Sequence, residues 1–411
     1  MTPAVIALVG TLDTKGDEYA YLRDRIREAG ASALLIDAGV LGRPGATPDI
    51  TRQAVAEAAG QRIADLVAAG DRAVALGVMG RGTGAILADL VESGSCSGVL
   101  AVGGSGGTSV AVRAFSQLPF GFPKMIVSTQ VASAGGALAG GSDVLLMSSV
   151  ADIAGLNRLT RRVLSTAAAA IVGAVKAPAV PAGDRSLAFA TMLGLTTTGV
   201  TAAGARLQQV GYEVVTFHAT GEGGRTMEKL IGPMEVSAML DLTTVEVADE
   251  VVGGTKPAGG DRLRTAGRLG IPQVVSTGGT DMVRFGPRDS VPEHFGDRVF
   301  HVHNDLVTLM RTSPEECLEI GRVIGARLAS ATGPAVLIVP LRGSSAIAVD
   351  GGPFHDPAAD AALAEGLRGS LTGSDARIVC VDTHINDPAF SRAAADRLLA
   401  ILEGNDRAPQ Q

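Results

Sequence analysis

The chain has 411 residues, 46% of them apolar and 54 of them glycine, and a formal net charge of −7. That length exceeds what one hydrophobic core supports and sets an expectation of two or three domains, while the glycine-rich apolar composition suits an α/β protein and excludes a disordered or fibrous chain. The acidic balance, without runs of like charge, argues against a nucleic-acid surface; Cys96, Cys317 and Cys380 show no CxxC and no paired spacing, which points to a reducing cytoplasmic setting with neither a disulfide framework nor a structural zinc site.

The first residues, MTPAVIALVG, run into an apolar strand with no basic leader region, so no signal peptide is expected. Short apolar runs then alternate with helix-period segments, the pattern of parallel strands joined by crossover helices. The strand candidates of the first half are VIALVG, SALLIDAGV, AVALGVMG, GVLAVGG, KMIVST and DVLLMSS. Helices are expected near 17–29, 51–69, 83–93, 107–117 and 156–176. The apolar run at 163–175 is flanked by Arg161, Arg162 and Lys176 and falls short of a span, which needs about 20 residues, so a packed helix and no membrane segment are expected. KAPAVPAGD at 176–184 breaks the helix with two prolines and a glycine, giving domains 1–182 and 183–411.

After that break the rhythm restarts with SLAFATML, a helix over 199–210, YEVVTFHA, a helix over 224–231, SAMLDL, PQVVST, RVFHVHN, AVLIVPL and RIVCVD. The two openings, VGTLDTKGDEYAYLRDRIREAGASALLIDAG and MLGLTTTGVTAAGARLQQVGYEVVTFHATG, share strand, Thr-bearing turn, helix, Gly and second strand in one order. The fold class is therefore α/β, two Rossmann-like parallel-sheet domains with a cleft between them, the second a plausible duplicate of the first.

Ligands of open parallel sheets lie at the carboxyl ends of the strands, so the turns there carry the weight. Four in the first half qualify: GTLDTKG at 10–16, GVMGRGTG at 77–84, GGSGGT at 103–108 and STQVASAGG at 128–136. A helix start offers unpaired N–H groups and a partial positive charge, glycines allow close approach, and Ser105 and Thr108 add hydroxyls. Lys15 and Arg81 are candidate phosphate cations, and Asp13 or Asp37 could hold a ribose or a hydrated Mg²⁺. No turn matches GxGxxG after the first strand or GxxxxGK[ST], so the dinucleotide and Walker fingerprints are absent.

GTLDTKG, GGSGGT, SVADIAGLN at 149–157, HATGEGGRTMEKLI at 218–231, LDLTTVEVADEVVGG at 240–254 and FHVHNDLVTLMRTSPEEC at 300–317 carry a resemblance. Together they resemble the family of the tomato tobamovirus-resistance protein's N-terminal ATP-binding region and its bacterial relatives, over essentially the whole chain to INDPAF at 385–390. The resemblance implies a two-part α/β protein that binds ATP, with Mg, often as a homodimer or higher homo-oligomer. Carried onto this sequence, it makes Thr11, Asp13, Thr14 and Lys15 of the first turn and Gly104, Ser105, Gly106, Gly107 and Thr108 of the glycine turn the nucleotide contacts. At 128–140 the chain has STQVASAGGALAG, lacking the acid expected of the family, and no contact is carried onto residues 130–140.

The second half has chemistry of its own. His218 ends a strand, Glu222 lies in the turn and Arg225 opens a helix, an arrangement suited to an anion beside a titratable group. Asp241 ends another strand, Glu246 and Asp249 share a helical face, Asp281 lies in a glycine turn, and His301 and His303 share one strand face. With no CxxC or HExxH to fix a metal, a small anionic metabolite is the expected partner. His218 or His303 is the candidate general acid or base, Arg225 the anion clamp, Asp241 the residue to orient a histidine or hold a divalent ion, and Glu246 a further catalytic carboxylate; most of these, with Glu222, Asp281 and His301, are expected to line one pocket. PLRGSSAI at 340–347 is not a GxSxG elbow, which sets a serine hydrolase aside, and Cys380 reads as a buried strand cysteine. The reading is an ATP-binding cytoplasmic protein whose cleft recognises or acts on a small anionic metabolite, with no nucleic-acid or membrane partner. Two alternatives are a metabolic hydrolase, lyase or isomerase regulated by nucleotide, and a nucleotide-gated protein-interaction module.

Overall fold

The computed structural model describes residues 4–178 and 183–404. The chain divides into two compact units, Met1–Pro181 and Ala182–Gln411. The expected boundary, between 182 and 183, borders residues 179–182, which lie outside the described residues.

In the first unit the elements run β1 (Val5–Gly10), α1 (Leu12–Glu28), β2 (Ser32–Asp37), α2 (Arg52–Ala58), α3 (Ile63–Ala69), α4 (Arg72–Glu92), β3 (Gly98–Gly103), α5 (Ser105–Phe115), β4 (Lys124–Ser128), α6 (Val131–Ala139), β5 (Leu145–Ser148) and α7 (Arg158–Lys176). All strand pairs are parallel, in the order β2-β1-β3-β4-β5. β3 is buried at all six positions, as a central strand covered on both faces must be, which is why its sequence is a continuous apolar run. Its two faces feed separate cores. Val99 and Ala101 pack with Val78, Met79 and Phe115 on one side; Leu100 and Val102 pack with Leu22, Leu164 and Ile171 on the other.

One expected strand is a helix. AVALGVMG lies inside α4, and the supposed turn GVMGRGTG is that helix's interior, with Arg81 exposed upon it. Asp71 caps the start, its carboxylate accepting from Val74 N–H at 3.0 Å. The glycines serve close packing: a Cβ built on Gly82 would lie 1.8 Å from the Val55 carbonyl oxygen, and one on Gly84 2.0 Å from Gln117 Nε2. α4 has the length and hydropathy of a membrane span, yet Ala75, Val78, Met79 and Leu87 are buried within the unit's core, the position of a core helix.

The second unit runs β6 (Leu187–Met192), α8 (Thr197–Gln209), β7 (Glu213–His218), α9 (Glu222–Leu230), β8 (Ala238–Thr243), α10 (Val245–Val252), α11 (Thr265–Arg268), β9 (Gln273–Gly278), β10 (Met282–Phe285), β11 (Phe300–Asn304), β12 (Val307–Arg311), α12 (Pro314–Ala329), β13 (Ala335–Pro340), α13 (Pro357–Leu371), β14 (Arg377–Val381) and α14 (Pro388–Leu402). The parallel sheet is ordered β14-β13-β9-β8-β6-β7. Counted within each unit, both sheets therefore run 2-1-3-4-5, with a sixth strand added in the second, in keeping with the shared opening of the two halves. Helix starts follow local capping chemistry: Ser313 and Glu316 form a capping box before α12, and Asp356-Pro357 and Asp387-Pro388 start α13 and α14.

A second departure concerns RVFHVHN, expected as a strand of the parallel series. It forms β11, the edge of a separate antiparallel sheet ordered β10-β12-β11. β10 and β12 were not anticipated, because MVRF follows a glycine turn and VTLMR is short. Cys380 is exposed rather than buried, since β14 is the sheet's edge strand.

Candidate functional site

The strand order 2-1-3 makes the connections from β1 and β3 leave on opposite faces of the first sheet, opening a crevice at their carboxyl ends. Tyr19 of α1 sets that crevice. Its hydroxyl donates to the Val102 carbonyl at 2.8 Å and accepts from Val102 N–H at 2.7 Å, and it also contacts the Val9 carbonyl, so the phenol stands between β1 and β3. Burial pushes the phenol's pKa up, so it remains a neutral donor. Gly10 is required beside it, because a Cβ there would come within 2.1 Å of the ring.

A cavity of about 470 Å³ lies at this switch point. One wall is Thr11, Asp13, Thr14 and Lys15; another is Gly104, Ser105, Gly106 and Gly107; Arg72 and the apolar Val40, Leu41, Leu66 and Leu76 complete it. Eight of the nine nucleotide contacts expected in the first half are thus together. The ninth, Thr108, is buried instead, its hydroxyl bonded to the Gly104 carbonyl at 2.8 Å and to Ser128 Oγ at 2.6 Å, tying α5 to the end of β4.

The first turn is held from beneath. Asp37 Oδ1 accepts from Leu12 N–H at 3.2 Å and Gly39 N–H at 2.9 Å, while Oδ2 pairs with Arg52 Nε at 2.7 Å. Asp37 is thus committed to the scaffold. Asp13 differs: Oδ2 accepts from Leu41 N–H at 2.9 Å, whereas Oδ1 is buried with no hydrogen-bond partner among the described residues. Lys15 donates to the Ile153 carbonyl. At the glycine turn Gly104 caps α5 without a side-chain hydrogen bond. A Cβ on Gly106 would lie 3.1 Å from Arg72 Nη2 and 3.7 Å from Leu76, so the bare glycine keeps open the space toward the cationic wall. Arg72 was not anticipated, because its segment reads as a strand; Asp71 before it, a helix cap, was the available signal.

The second unit arranges its expected residues differently. Asp241, Glu246 and Asp281 are buried with protein partners. Arg262, also buried, reaches Glu246 Oε2 with Nε at 2.7 Å and Asp241 Oδ1 with Nη2 at 2.7 Å, and lies 3.7 Å from Glu228. Burial opposes the guanidinium charge, but the carboxylates of Asp241, Glu246 and Glu228 outweigh it and push its pKa up. For Glu228, burial wins over Arg262 and the carboxyl's pKa is raised. Asp281 is raised by burial too, against Arg311 and the Ser344 and Ser345 hydroxyls, each 2.8 Å from its oxygens.

The reason is the antiparallel sheet. Met282 and Leu309 from that sheet, with Ala348 and Phe354 from the segment after β13, pack on Ala219 and Val245. The guanidinium of Arg284 donates to the Ala219 carbonyl, and Ala346 N–H donates to the Leu195 carbonyl at 3.0 Å. These contacts cover the strand ends where one shared pocket was expected. His218 is exposed at the end of β7, while His303 is exposed on β11 with His301 at a ring separation of 6.5 Å. Of the five expected catalytic residues, Arg225 lines a cavity of this unit, about 280 Å³, beside Lys229, Arg268, Glu228 and Gly259. Arg262, the residue that binds two of those five, sits in a glycine-bearing loop whose only sequence signal was one more basic residue.

Fold and site together define a tandem doubly wound α/β protein with an open cavity at its first switch point. The chain belongs to the family described as Uncharacterised protein family (UPF0261), whose N-terminal domain matches residues 4–180 and whose C-terminal domain matches residues 185–402. It is 43% identical over 399 residues to a UPF0261 protein of Clostridium tetani, covering 97% of this chain and 99% of that one. It is also 37% identical over 337 residues to the ToMV resistance protein Tm-1(GCR237) of Solanum lycopersicum, covering 80% of this chain and 45% of that protein. A solved UDP-N-acetylglucosamine 2-epimerase from Rickettsia bellii matches with a TM-score of 0.24 and 10% identity over 67% of this chain and 79% of that chain, a likeness too slight to support an argument.

Proposed function

We propose that the first unit binds ATP with Mg²⁺ in the switch-point cavity. The observation that carries this reading is that the glycine turn opening α5 and Asp13 line one cavity, and that Asp13 Oδ1 is buried without a partner among the described residues. A buried oxygen left unpaired costs about 1–3 kcal/mol, which a ligand donor or a hydrated cation would recover. The phosphates fit the N–H groups at Gly104–Gly107, with Lys15 and Arg72 as counter-charges. The apolar side chains of Val40, Leu41, Leu66 and Leu76 suit the base. The residues present therefore fit the nucleotide that the family resemblance implies, and Asp13 would help hold a Mg²⁺ ion, which would neutralise phosphate charge.

For the second unit we propose a small anionic metabolite at the cavity lined by Arg225, Lys229 and Arg268. This reading is supported by three cationic side chains beside Gly259 and Gly260. Isothermal titration of the full chain with ATP and Mg²⁺ tests the principal reading. Gly106→Val, which fills the cradle, abolishes binding; Lys15→Ala weakens it by roughly 1–3 kcal/mol, the worth of one charge-assisted hydrogen bond. Unchanged affinity in the glycine variant, or no nucleotide binding by the wild type, overturns the site.

A further inference from the structure

The carboxyl edge of the first sheet carries a second recess, of about 500 Å³, which shares Gly104 and Ser105 with the cavity above. Its polar lining is Ser105, Thr129, Gln130, Ser148, Ser149 and Asp152. Among the described residues no lysine, arginine or histidine lines it, and Asp152 adds a negative charge, so no cationic side chain is there to pair with an anion. Gln130 Nε2 donates to Thr129 Oγ1 at 3.2 Å, Ser149 Oγ donates to the Ala151 carbonyl and Asp152 Oδ1 accepts from Ile153 N–H at 2.8 Å; the remaining capacity is hydroxyls that donate and accept, the Gln130 amide with a further N–H and its oxygen, and the second Asp152 oxygen, which accepts. The ligand matching such a set is one whose own groups each donate and accept. We infer that this recess is a subsite for a small uncharged polyhydroxylated compound, a polyol or sugar, held beside the nucleotide.

The wall formed by residues 148–155 is built rather than incidental. Val150 has φ of 64° and is 74% exposed. A β-branched residue is an outlier in that backbone region, and such outliers gather where the surrounding structure holds a loop in shape for a ligand. Here the hold is explicit. Val150 N–H donates to Ser148 Oγ at 3.2 Å, Ser149 Oγ donates to the Ala151 carbonyl at 2.7 Å, and Gly155 N–H donates to the buried Glu18 at 2.8 Å. Lys15 reaches the Ile153 carbonyl, next to Asp152. The first cavity's cation and the recess's carboxylate therefore belong to one bonded segment.

This subsite deepens the nucleotide reading and rests on it for the role of the neighbouring cavity. The test is isothermal titration of the full chain with xylitol and, separately, D-gluconate, each with and without ATP and Mg²⁺. Xylitol binds, and its affinity falls roughly fivefold or more in Asp152→Ala and in Gln130→Ala, the loss of a hydrogen bond each, while ATP affinity is unchanged. D-gluconate binds more weakly than xylitol, because its carboxylate meets Asp152. Absence of xylitol binding, undiminished binding by both variants, or tighter binding of D-gluconate overturns the subsite. Xylitol binding of the expected pattern with no ATP binding leaves the subsite standing and removes the nucleotide reading.

Discussion

Replacing Arg262 by Met would strand buried charge without leaving a large hole. Arg262 is 1% exposed, and its guanidinium makes 2.7 Å bonds to Asp241 and Glu246, donates to the Thr243 carbonyl at 3.1 Å and lies 3.7 Å from Glu228. Removing one partner of a buried ion pair costs about 3–5 kcal/mol, chiefly because the remaining charge is uncompensated. Three carboxylates sharing one cation push toward the upper end. Their other partners pull the other way: Thr191 Oγ1 stays 2.5 Å from Asp241, Gly224 N–H 3.1 Å from Glu246, and Leu263 N–H 2.7 Å from Glu228. The expected loss is about 4 kcal/mol. Hydrogen exchange of the amides of β8, followed by mass spectrometry in the full chain, reads the opening free energy of the second unit directly. Combining Arg262→Met with Asp241→Asn and Glu246→Gln removes the two stranded charges nearest the guanidinium, leaves Glu228 with its N–H donors, and restores all but roughly 1–2 kcal/mol. A loss below about 1 kcal/mol in the single variant, or a triple variant no more stable than the single, refutes the reasoning.

Three further outcomes are expected. Gly82→Ala would force a Cβ to within 1.8 Å of the Val55 carbonyl oxygen; the shift of α4 against α2 lowers the first unit's stability by about 1–3 kcal/mol, read from exchange of the α4 amides. Val150→Gly relieves the 64° φ and raises the unfolding midpoint of the first unit, a gain of about 1 kcal/mol, and an unchanged midpoint shows that the turn stores no strain. Burial pushes the Asp249 carboxyl from 3.8 up to about 6, against the pull of Arg284. Because the folded-state value is raised, the stability this group contributes is complete below 3.8 and is lost as pH rises through about 6. Urea unfolding across that window falls by roughly 1.4 kcal/mol per pH unit for one extra proton held by the folded state, and Asp249→Asn flattens the slope.

Much of the first unit's switch-point cavity was legible because its signals are local. GTLDTKG and GGSGGT each follow a continuous apolar run and lead into a helix, and a parallel sheet necessarily brings such turns to one edge. Eight of nine expected residues meet there, and Thr108 departs only because helix geometry turns its hydroxyl back to the Gly104 carbonyl. The same logic misled in the second unit. Strand-end position put Asp241, Glu246, Asp281, His218 and His303 in one pocket, yet that edge is covered by β10, β12 and the segment after β13.

The sequence by itself determined the alternation of strands and helices and the restart of the pattern in the second half, since apolar period acts within a few residues. Tertiary structure alone decided what three glycines of α4 are for, because Val55, Arg113 and Gln117, which they meet, lie outside that helix. It also decided which carboxylates are spent and which is open. Asp241 and Glu246 are held by a guanidinium 21 and 16 residues away, whereas Asp13 keeps one buried oxygen without a partner among the described residues. Charge pairing in a low-dielectric interior depends on where chain segments come together in space, and no local pattern encodes that distance.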